Sequence, residues 1–221
     1  MLFRSVVAID GPAGAGKSTV ARQVAVATGL PFLDTGAMYR CVALVAIRRG
    51  VQGDDAVAVA DIARTIRIDV RDGVTTLDGV DVSGDIRTPE VNSLVSVIAT
   101  NSAVREVMRE AQRRWAAELG GGVVEGRDIG TVVFPDAAVK VFLTASPEVR
   151  ARRRVAESGG DVAEVARSIA ERDRIDSTRS DSPLRPADGA TVVDSSDKPI
   201  DEVVAEIVGL LEKGSEVSGH G

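Results

Sequence analysis

Residues 10–19 read Asp-Gly-Pro-Ala-Gly-Ala-Gly-Lys-Ser-Thr. They follow the apolar run 6–9 and precede a segment whose apolar residues recur at helical spacing as far as Gly29. A Gly-x4-Gly-Lys-Ser pattern between a strand and a helix is typical of a phosphate-binding loop, or P-loop. The sequence therefore predicts a strand, a loop whose backbone amides surround a phosphate, and a helix whose positive end faces the same anion.

The loop has predicted roles toward a nucleoside triphosphate. Lys17 supplies a positive charge to the β- and γ-phosphates. Ser18 places a hydroxyl where it can bind Mg²⁺ directly or through water, an expectation that rests on its chemistry. The predicted nucleotide-binding residues are Gly11, Pro12, Ala13, Gly14, Ala15, Gly16, Lys17, Ser18 and Thr19.

Composition limits the classes of protein to which the chain can belong. Its 221 residues, 44% of them hydrophobic, suffice for one domain with a substantial core. The net charge of −6 disfavours general binding to nucleic acid or to an anionic membrane. Cys41 is the only cysteine and is predicted to be buried on a helix, and no apolar run is long enough to span a bilayer. These features favour a cytoplasmic protein.

Strand and helix patterns alternate along the chain, which predicts an α/β fold with a parallel sheet flanked by helices. Two Asp-Gly pairs, at 72–73 and 78–79, divide an alternating stretch into a small antiparallel three-stranded insert. Two arginine-rich helices, starting at Ser146 and Asp161, suggest a helical lid. The predicted single domain comprises a core (1–64, 88–150 and 185–213), an insert (about 65–87), a lid (about 151–184) and a flexible tail (214–221) that holds the only histidine, His220.

Charged side chains follow two of the predicted strands. Thr35, a candidate helix cap, precedes Tyr39 and Arg40 after the second strand, and Arg127 with Asp128 follows a later strand. Ligands of parallel α/β sheets bind at the carboxyl ends of the strands. These positions are therefore candidates for substrate binding.

Three reaction classes fit a P-loop. A regulatory GTPase needs an Asn-Lys-x-Asp element, which the sequence lacks. A P-loop ATPase needs a catalytic glutamate, for which Glu125 is the candidate. A small kinase needs arginines from several elements around an anionic acceptor, and Arg40, Arg127, Arg172 and Arg179 meet that need. Transfer between phosphates requires no histidine base, because the acceptor is already an oxyanion.

Several segments resemble bacterial-type cytidylate kinases. They are Asp-Thr-Gly-Ala-Met-Tyr-Arg at 34–40, the segment 81–87, the block Gly-Arg-Asp-Ile-Gly-Thr-Val-Val-Phe-Pro-Asp at 126–136, and Glu-Arg-Asp at 171–173. The likeness extends over about residues 6–211. It implies a P-loop kinase fold and Mg²⁺-dependent phosphoryl transfer from ATP to CMP or dCMP, giving CDP or dCDP and ADP. The alternatives are another small-molecule P-loop kinase, or a P-loop ATPase or nucleotide-binding module.

The resemblance also implies roles for individual residues. Cytosine would be read by Ser96, Arg105 and Asp128, and Arg154 would lie near the adenine. The three-stranded insert would belong to the acceptor-binding part of the enzyme. Arg40 and Arg127 would hold the acceptor phosphate, while Arg172, Asp176 and Arg179 would serve the ribose and the transferring phosphate. Lys17, Arg127, Arg172 and Asp176 are the predicted catalytic residues, the substrate-binding set also includes Thr35 and Tyr39, and the enzyme is expected to be a monomer.

Overall fold

A computed structural model describes residues 5–71 and 73–218. The chain divides into two compact units, the first made of Met1–Phe32 and Ala116–Gly221 and the second of Leu33–Trp115. The functional division into core, insert and lid stays a prediction. Asp72 of the first predicted turn and His220 lie outside the described residues.

Eight strands and eight α-helices make up the described parts of the chain. The strands are β1 (Val6–Asp10), β2 (Phe32–Asp34), β3 (Ile68–Arg71), β4 (Val74–Leu77), β5 (Val80–Asp81), β6 (Gly122–Gly126), β7 (Val139–Thr144) and β8 (Thr191–Asp194). The helices are α1 (Lys17–Thr28), α2 (Thr35–Arg48), α3 (Ala56–Thr65), α4 (Pro89–Ile98), α5 (Ser102–Leu119), α6 (Pro147–Ser158), α7 (Val162–Thr178) and α8 (Ile200–Ser218).

A parallel five-stranded sheet has the order β2-β6-β1-β7-β8. All five residues of β1 are buried, as expected for a parallel strand covered on both faces. Asp10 at the end of β1 lies beside Gly126 at the end of β6. The P-loop and residues 127–128 therefore leave neighbouring strands at the same level of the sheet, near the strand where the chain order reverses.

The hydrophobic core of the first unit lies between the sheet and helices α1 and α8. Val20 and Val24 of α1, together with Val203 and Ile207 of α8, are buried against apolar residues of β1, β6, β7 and β8. The helix α1 ends at Gly29, whose φ of +67° is the left-handed conformation that terminates helices. The predicted strand, loop and helix are thus confirmed.

The second unit contains the antiparallel sheet β3-β4-β5 and a short 3₁₀ helix, Asp85–Arg87. Asp78 and Gly79 both have positive φ, +52° and +85°, as a two-residue hairpin turn requires. Trp115 is buried and donates its indole N–H to the carbonyl of Val70 at 3.1 Å. The predicted antiparallel three-stranded sheet is confirmed, and Trp115 packs in the core of this unit.

Three sequence predictions about helix ends need correction. The N-cap of α2 is Asp34, whose carboxylate accepts the Ala37 N–H at 3.0 Å, and Thr35 is the first helical residue. The sequence also predicts that the helix starting at Asp161 ends near Arg174 and that the last helix runs from about Ile200 to Leu211. In the structure α7 continues to Thr178, and α8 continues past Leu211. Helix caps within a residue of one another are hard to separate, because aspartate and threonine are both good N-caps.

No helix in the ranges 5–71 and 73–218 has both the length and the apolar character needed to cross a bilayer. Cys41 is fully buried on α2, as predicted.

Candidate active site

The phosphate-binding loop connects β1 to α1 and takes its shape from glycines. Gly14 (φ +76°) and Gly16 (φ +86°) adopt left-handed conformations, and at Gly11 a β-carbon would collide with the backbone of β7. Lys17 begins α1 and donates from Nζ to the carbonyl of Pro12 at 2.9 Å. The loop therefore closes on itself around its lysine, while its contacts with a nucleotide stay predictions.

Ser18 and Glu125 meet beside the loop. The exposed hydroxyl of Ser18 donates to Oε1 of the buried Glu125 at 2.5 Å. Sequence reasoning assigned the two residues to different hypotheses, Ser18 to Mg²⁺ and Glu125 to an ATPase. Their contact instead places one hydroxyl and one carboxylate together, a donor set of the kind that Mg²⁺ uses along with phosphate oxygens and water.

Asp10 is the last residue of β1, immediately before the loop, and was missed as a functional candidate. Its carboxylate accepts the backbone N–H groups of Ile129 (2.8 Å) and Gly130 (2.7 Å), which begin a π-helical turn, Ile129–Val133. Burial raises its pKa from 3.8 to about 7, although the two backbone hydrogen bonds oppose the shift. The signal in the sequence was a carboxylate that ends a buried strand immediately before the P-loop.

Lys17 is held in an environment that disfavours its charge. Burial, followed by the positive charges of Arg127 and Arg172, lowers its pKa from 10.5 to about 7, whereas Glu125 and Asp10 oppose the shift. A lysine placed this way gains from an added anion, because a phosphate oxygen would compensate the buried ammonium.

The lowered pKa of Lys17 predicts a pH-dependent stability. At pH 7 and below the folded protein carries the cost of a buried ammonium, and this cost falls as pH rises from about 7 to 10.5, where only the unfolded chain stays protonated. Lys17→Met should therefore raise Tm most at pH 6, by about 3 °C or more, since 1 kcal/mol is worth about 2–4 °C in a protein of this size. Thermal unfolding from pH 6 to pH 10 measures the effect. An equal rise at both ends of that range would contradict it.

Two predicted arginines converge on Asp176 of α7. Arg127 donates from Nε to Asp176 Oδ2 at 2.9 Å, and Nη1 of Arg179 lies 3.5 Å from Oδ1. Arg179 also approaches Asp128, with 3.9 Å between Nη2 and Oδ1. The structure thus brings together four of the predicted substrate-binding residues, and Arg172 is close enough to affect the pKa of Lys17.

Asp176 is the anchor of this cluster and is only 4% exposed. Replacing it by alanine would leave two guanidinium groups without their shared carboxylate, and removing one partner of a buried ion pair costs about 3–5 kcal/mol. We expect Asp176→Ala to lower the free energy of unfolding, measured in urea, by about that amount. The matched control is Glu171→Ala on the same helix, whose exposed pair with Arg174 should leave the unfolding midpoint unchanged.

Five predicted substrate-binding residues belong to the second unit. Arg40 of α2 donates from Nε to Asn92 at 3.3 Å, and its Nη1 lies 3.9 Å from Asp34. Arg105 of α5 is only 3% exposed and donates to the carbonyl of Ala99 at 3.2 Å. Arginines on a helix as polar as α5 usually face solvent, whereas Arg105 is buried. Thr35 is buried, while Tyr39 and Ser96 are partly buried.

The arginines of α6 have different surroundings. Arg154, predicted to lie near adenine, is partly exposed and 3.3 Å from Glu157. Arg150 and Arg153 instead bind backbone carbonyls of the P-loop, at Ala13 and Ala15. Sequence reasoning gave neither of these two arginines a role of its own. Their spacing of three residues, one helical turn, was the signal that they share a face.

The sheet order, the P-loop after β1 and the charged residues after β6 define the class of the protein: it is a P-loop kinase by fold. A gluconokinase from Sinorhizobium meliloti has a similar structure, with a TM-score of 0.51, covering 98% of this chain and 96% of that chain at 18% identity. Likeness at this identity concerns the fold alone.

Sequence comparison is more specific. The sequence model of the cytidylate kinase family matches residues 7–213. Cytidylate kinases from Pelotomaculum thermopropionicum and Desulforamulus reducens are each 49% identical to this chain, over 94% and 97% of it and over 96% and 100% of their own lengths. The chain belongs to the cytidylate kinase family. The resemblance inferred from sequence is thus confirmed, and the ATPase alternative is disfavoured.

Proposed function

We propose that the protein transfers the γ-phosphoryl group of ATP to CMP, giving CDP and ADP, and that dCMP is also a substrate. The observation that carries the proposal is the match to the cytidylate kinase family over residues 7–213. The position of Arg127 and Asp128 supports it, because they follow β6 at the level where the P-loop follows β1. Donor and acceptor groups of the chain are thus presented at one edge of the sheet.

The reaction is an in-line displacement. An oxygen of the CMP phosphate forms a bond to the γ-phosphorus of ATP, and the bond from that phosphorus to the β,γ-bridging oxygen breaks, so ADP leaves with the electron pair. The chain must hold two polyanions together and compensate the charge of the transferring group. Lys17 and Arg172 act on the donor and transferring phosphates, and Arg40 and Arg127 on the acceptor phosphate.

The base and ribose of the acceptor have their own contacts in this proposal. Asp128 accepts the cytosine N4–H₂ group, while Ser96 and Arg105 donate to O2 and N3. Asp176 accepts a ribose hydroxyl, Arg179 orients the ribose and phosphate, and Thr35 and Tyr39 line the same acceptor site. Arg154 lies on the adenine side of the donor.

Ser18 and Glu125 are the residues that would hold Mg²⁺ with the phosphates of ATP. When bound, the ion supplies charge compensation to the β- and γ-phosphate oxygens. In the described parts of the chain no group of three or more His, Cys, Asp or Glu side chains could hold a metal ion. The Ser18–Glu125 contact nonetheless fits Mg²⁺, which is usually bound by few protein ligands together with several phosphate and water oxygens.

The proposal further includes a monomeric enzyme in the cytoplasm. A single buried thiol, Cys41, suits a reducing compartment. Sedimentation in the presence and absence of nucleotides measures the oligomeric state, and a stable dimer would overturn the monomer.

A coupled assay with ATP and a panel of acceptors tests the function. We expect turnover with CMP and dCMP. The kcat/KM for UMP should be lower than that for CMP by a factor of at least about 100. UMP presents an acceptor at position 4 and a donor at N3, which leaves buried partners unpaired. AMP and shikimate should be inactive. ATP hydrolysis without transfer to any acceptor would contradict the proposal.

A further inference from the structure

Two arginines of α6 hold alternate carbonyls of the phosphate-binding loop. Arg150 donates from Nη1 to the carbonyl of Ala13 at 3.0 Å, and Arg153 donates to that of Ala15 at 3.4 Å. The C=O and N–H of a trans peptide point in opposite directions. Fixing these two carbonyls from α6 therefore directs the amides of Gly14 and Gly16 to the opposite side of the loop.

Asp173 of α7 completes the first of these contacts. Its Oδ1 accepts the N–H of Ala13 at 3.1 Å, and its Oδ2 accepts from Nη1 of Arg150 at 2.5 Å. Arg150 and Asp173 thus bind the carbonyl and the amide of one buried residue of the loop. Their side chains are only 11% and 18% exposed, so water competes little with the pair.

The packing of the loop against α6 is equally close. A β-carbon at Gly14 would lie 3.0 Å from the carbonyl oxygen of Arg150 and 3.1 Å from its β-carbon. Gly14 therefore lets the backbone of the loop approach the backbone of α6, and the guanidinium of Arg150 then reaches the neighbouring peptide. This geometry fixes the Ala13–Gly14 peptide on the side of the loop that faces α6.

We propose that Arg150 and Asp173 are positioning residues for the phosphoryl donor: as an ion pair they set the Ala13–Gly14 peptide so that the Gly14 amide faces the phosphates of ATP. The inference rests on the proposed function, in which this loop binds ATP. A preset loop binds phosphate without first losing backbone freedom, which increases affinity.

The charges of the pair also matter for a loop that receives a polyanion. Asp173 alone would repel the phosphates, and Arg150 neutralises it. Loss of Arg150 therefore removes the carbonyl contact and exposes a carboxylate, whereas loss of both side chains removes that repulsion. The two residues should act as a unit, so the effects of their replacement should not multiply.

The test is a double-mutant cycle on nucleotide affinity. The Kd values for ATP and for CMP are measured separately by isothermal titration calorimetry for wild type, Arg150→Ala, Asp173→Ala and the double variant. We expect each single change to weaken ATP binding about tenfold, the double variant to be no weaker than Arg150→Ala, and the Kd for CMP to stay within about twofold. A merely structural role would weaken both nucleotides alike.

Two further variants keep the test decisive. Asp173→Asn conserves shape and an oxygen acceptor for the Ala13 amide, and should give a smaller loss than Asp173→Ala even if the alanine variant is unstable in thermal unfolding. Glu171→Gln removes an exposed charge pair from the same helix and should leave the Kd for ATP unchanged. ATP affinities of Arg150→Ala and Asp173→Asn equal to wild type, or multiplicative losses in the double variant, would overturn the proposal. ATP binding is measured without turnover. If wild type fails to phosphorylate CMP, the proposed function is overturned, but the ATP affinities of the variants still test the positioning role of Arg150 and Asp173.

Discussion

Lys17→Ala is expected to lower kcat for phosphoryl transfer by about a thousandfold while the protein stays folded. Removal of one preorganised donor from a site where charge develops costs about 10²–10³-fold in kcat. The loss of Lys17 should lie at the upper end of this range. Lys17 is a buried cation beside Arg127 and Arg172, and it also holds the loop through its hydrogen bond to the Pro12 carbonyl. Stability should not fall, since folding already opposes its charge.

Single-turnover and steady-state rates with saturating ATP and CMP measure this loss. Lys198→Ala is the matched control, because Lys198 is exposed and pairs with Glu206 near the surface. Its kcat should equal that of wild type. Turnover of Lys17→Ala within tenfold of wild type would remove the loop lysine from the mechanism.

Asp128→Ala is expected to raise the KM for CMP about a hundredfold and that for ATP by less than threefold. The buried carboxylate of Asp128 is the proposed acceptor for the cytosine N4–H₂ group. Without it, the amino group of bound CMP loses its hydrogen-bond partner, and an unpaired buried polar group weakens binding strongly. Asp128→Asn is the sharper variant. Its amide can donate to O4 of uracil, so the preference for CMP over UMP should narrow.

Steady-state kinetics with CMP and UMP at saturating ATP give these values. Asp136→Ala is the control, because Asp136 is an exposed carboxylate of the same segment. Equal increases in both KM values for Asp128→Ala would show a general disturbance of the site, which would contradict a base-reading role.

Features encoded by neighbouring residues could be predicted from the sequence. The P-loop is contiguous, and the turn at Asp78 and Gly79 requires two positive φ angles that this dipeptide tolerates. The uninterrupted apolar run 6–9 predicted a buried parallel strand, and all five residues of β1 are buried. The parallel sheet and the small antiparallel sheet followed from these local signals.

Features that depend on distant contacts were not predictable in the same way. The helix α6 carries charged residues in succession, which resembles a solvated helix, yet Arg150 reaches Ala13, 137 positions away along the chain. Asp173 and Ala13 are 160 positions apart. Arg105 likewise belongs to a helix rich in charged residues, yet it is buried and donates to the carbonyl of Ala99. Side chains of one type can face solvent or a backbone carbonyl, and only the fold decides between them.

The most direct test of the account is the binding of a single molecule in which adenosine and cytidine are joined through their 5′ positions by five phosphates. Such a ligand carries both nucleotides at the separation that in-line transfer requires, so linking them gains effective concentration. Calorimetry should give one molecule bound per chain, with a Kd at least about 100-fold below that of ATP or CMP, and displacement of both nucleotides. Binding no tighter than ATP alone, with CMP still able to bind, would contradict direct transfer between two adjacent nucleotides.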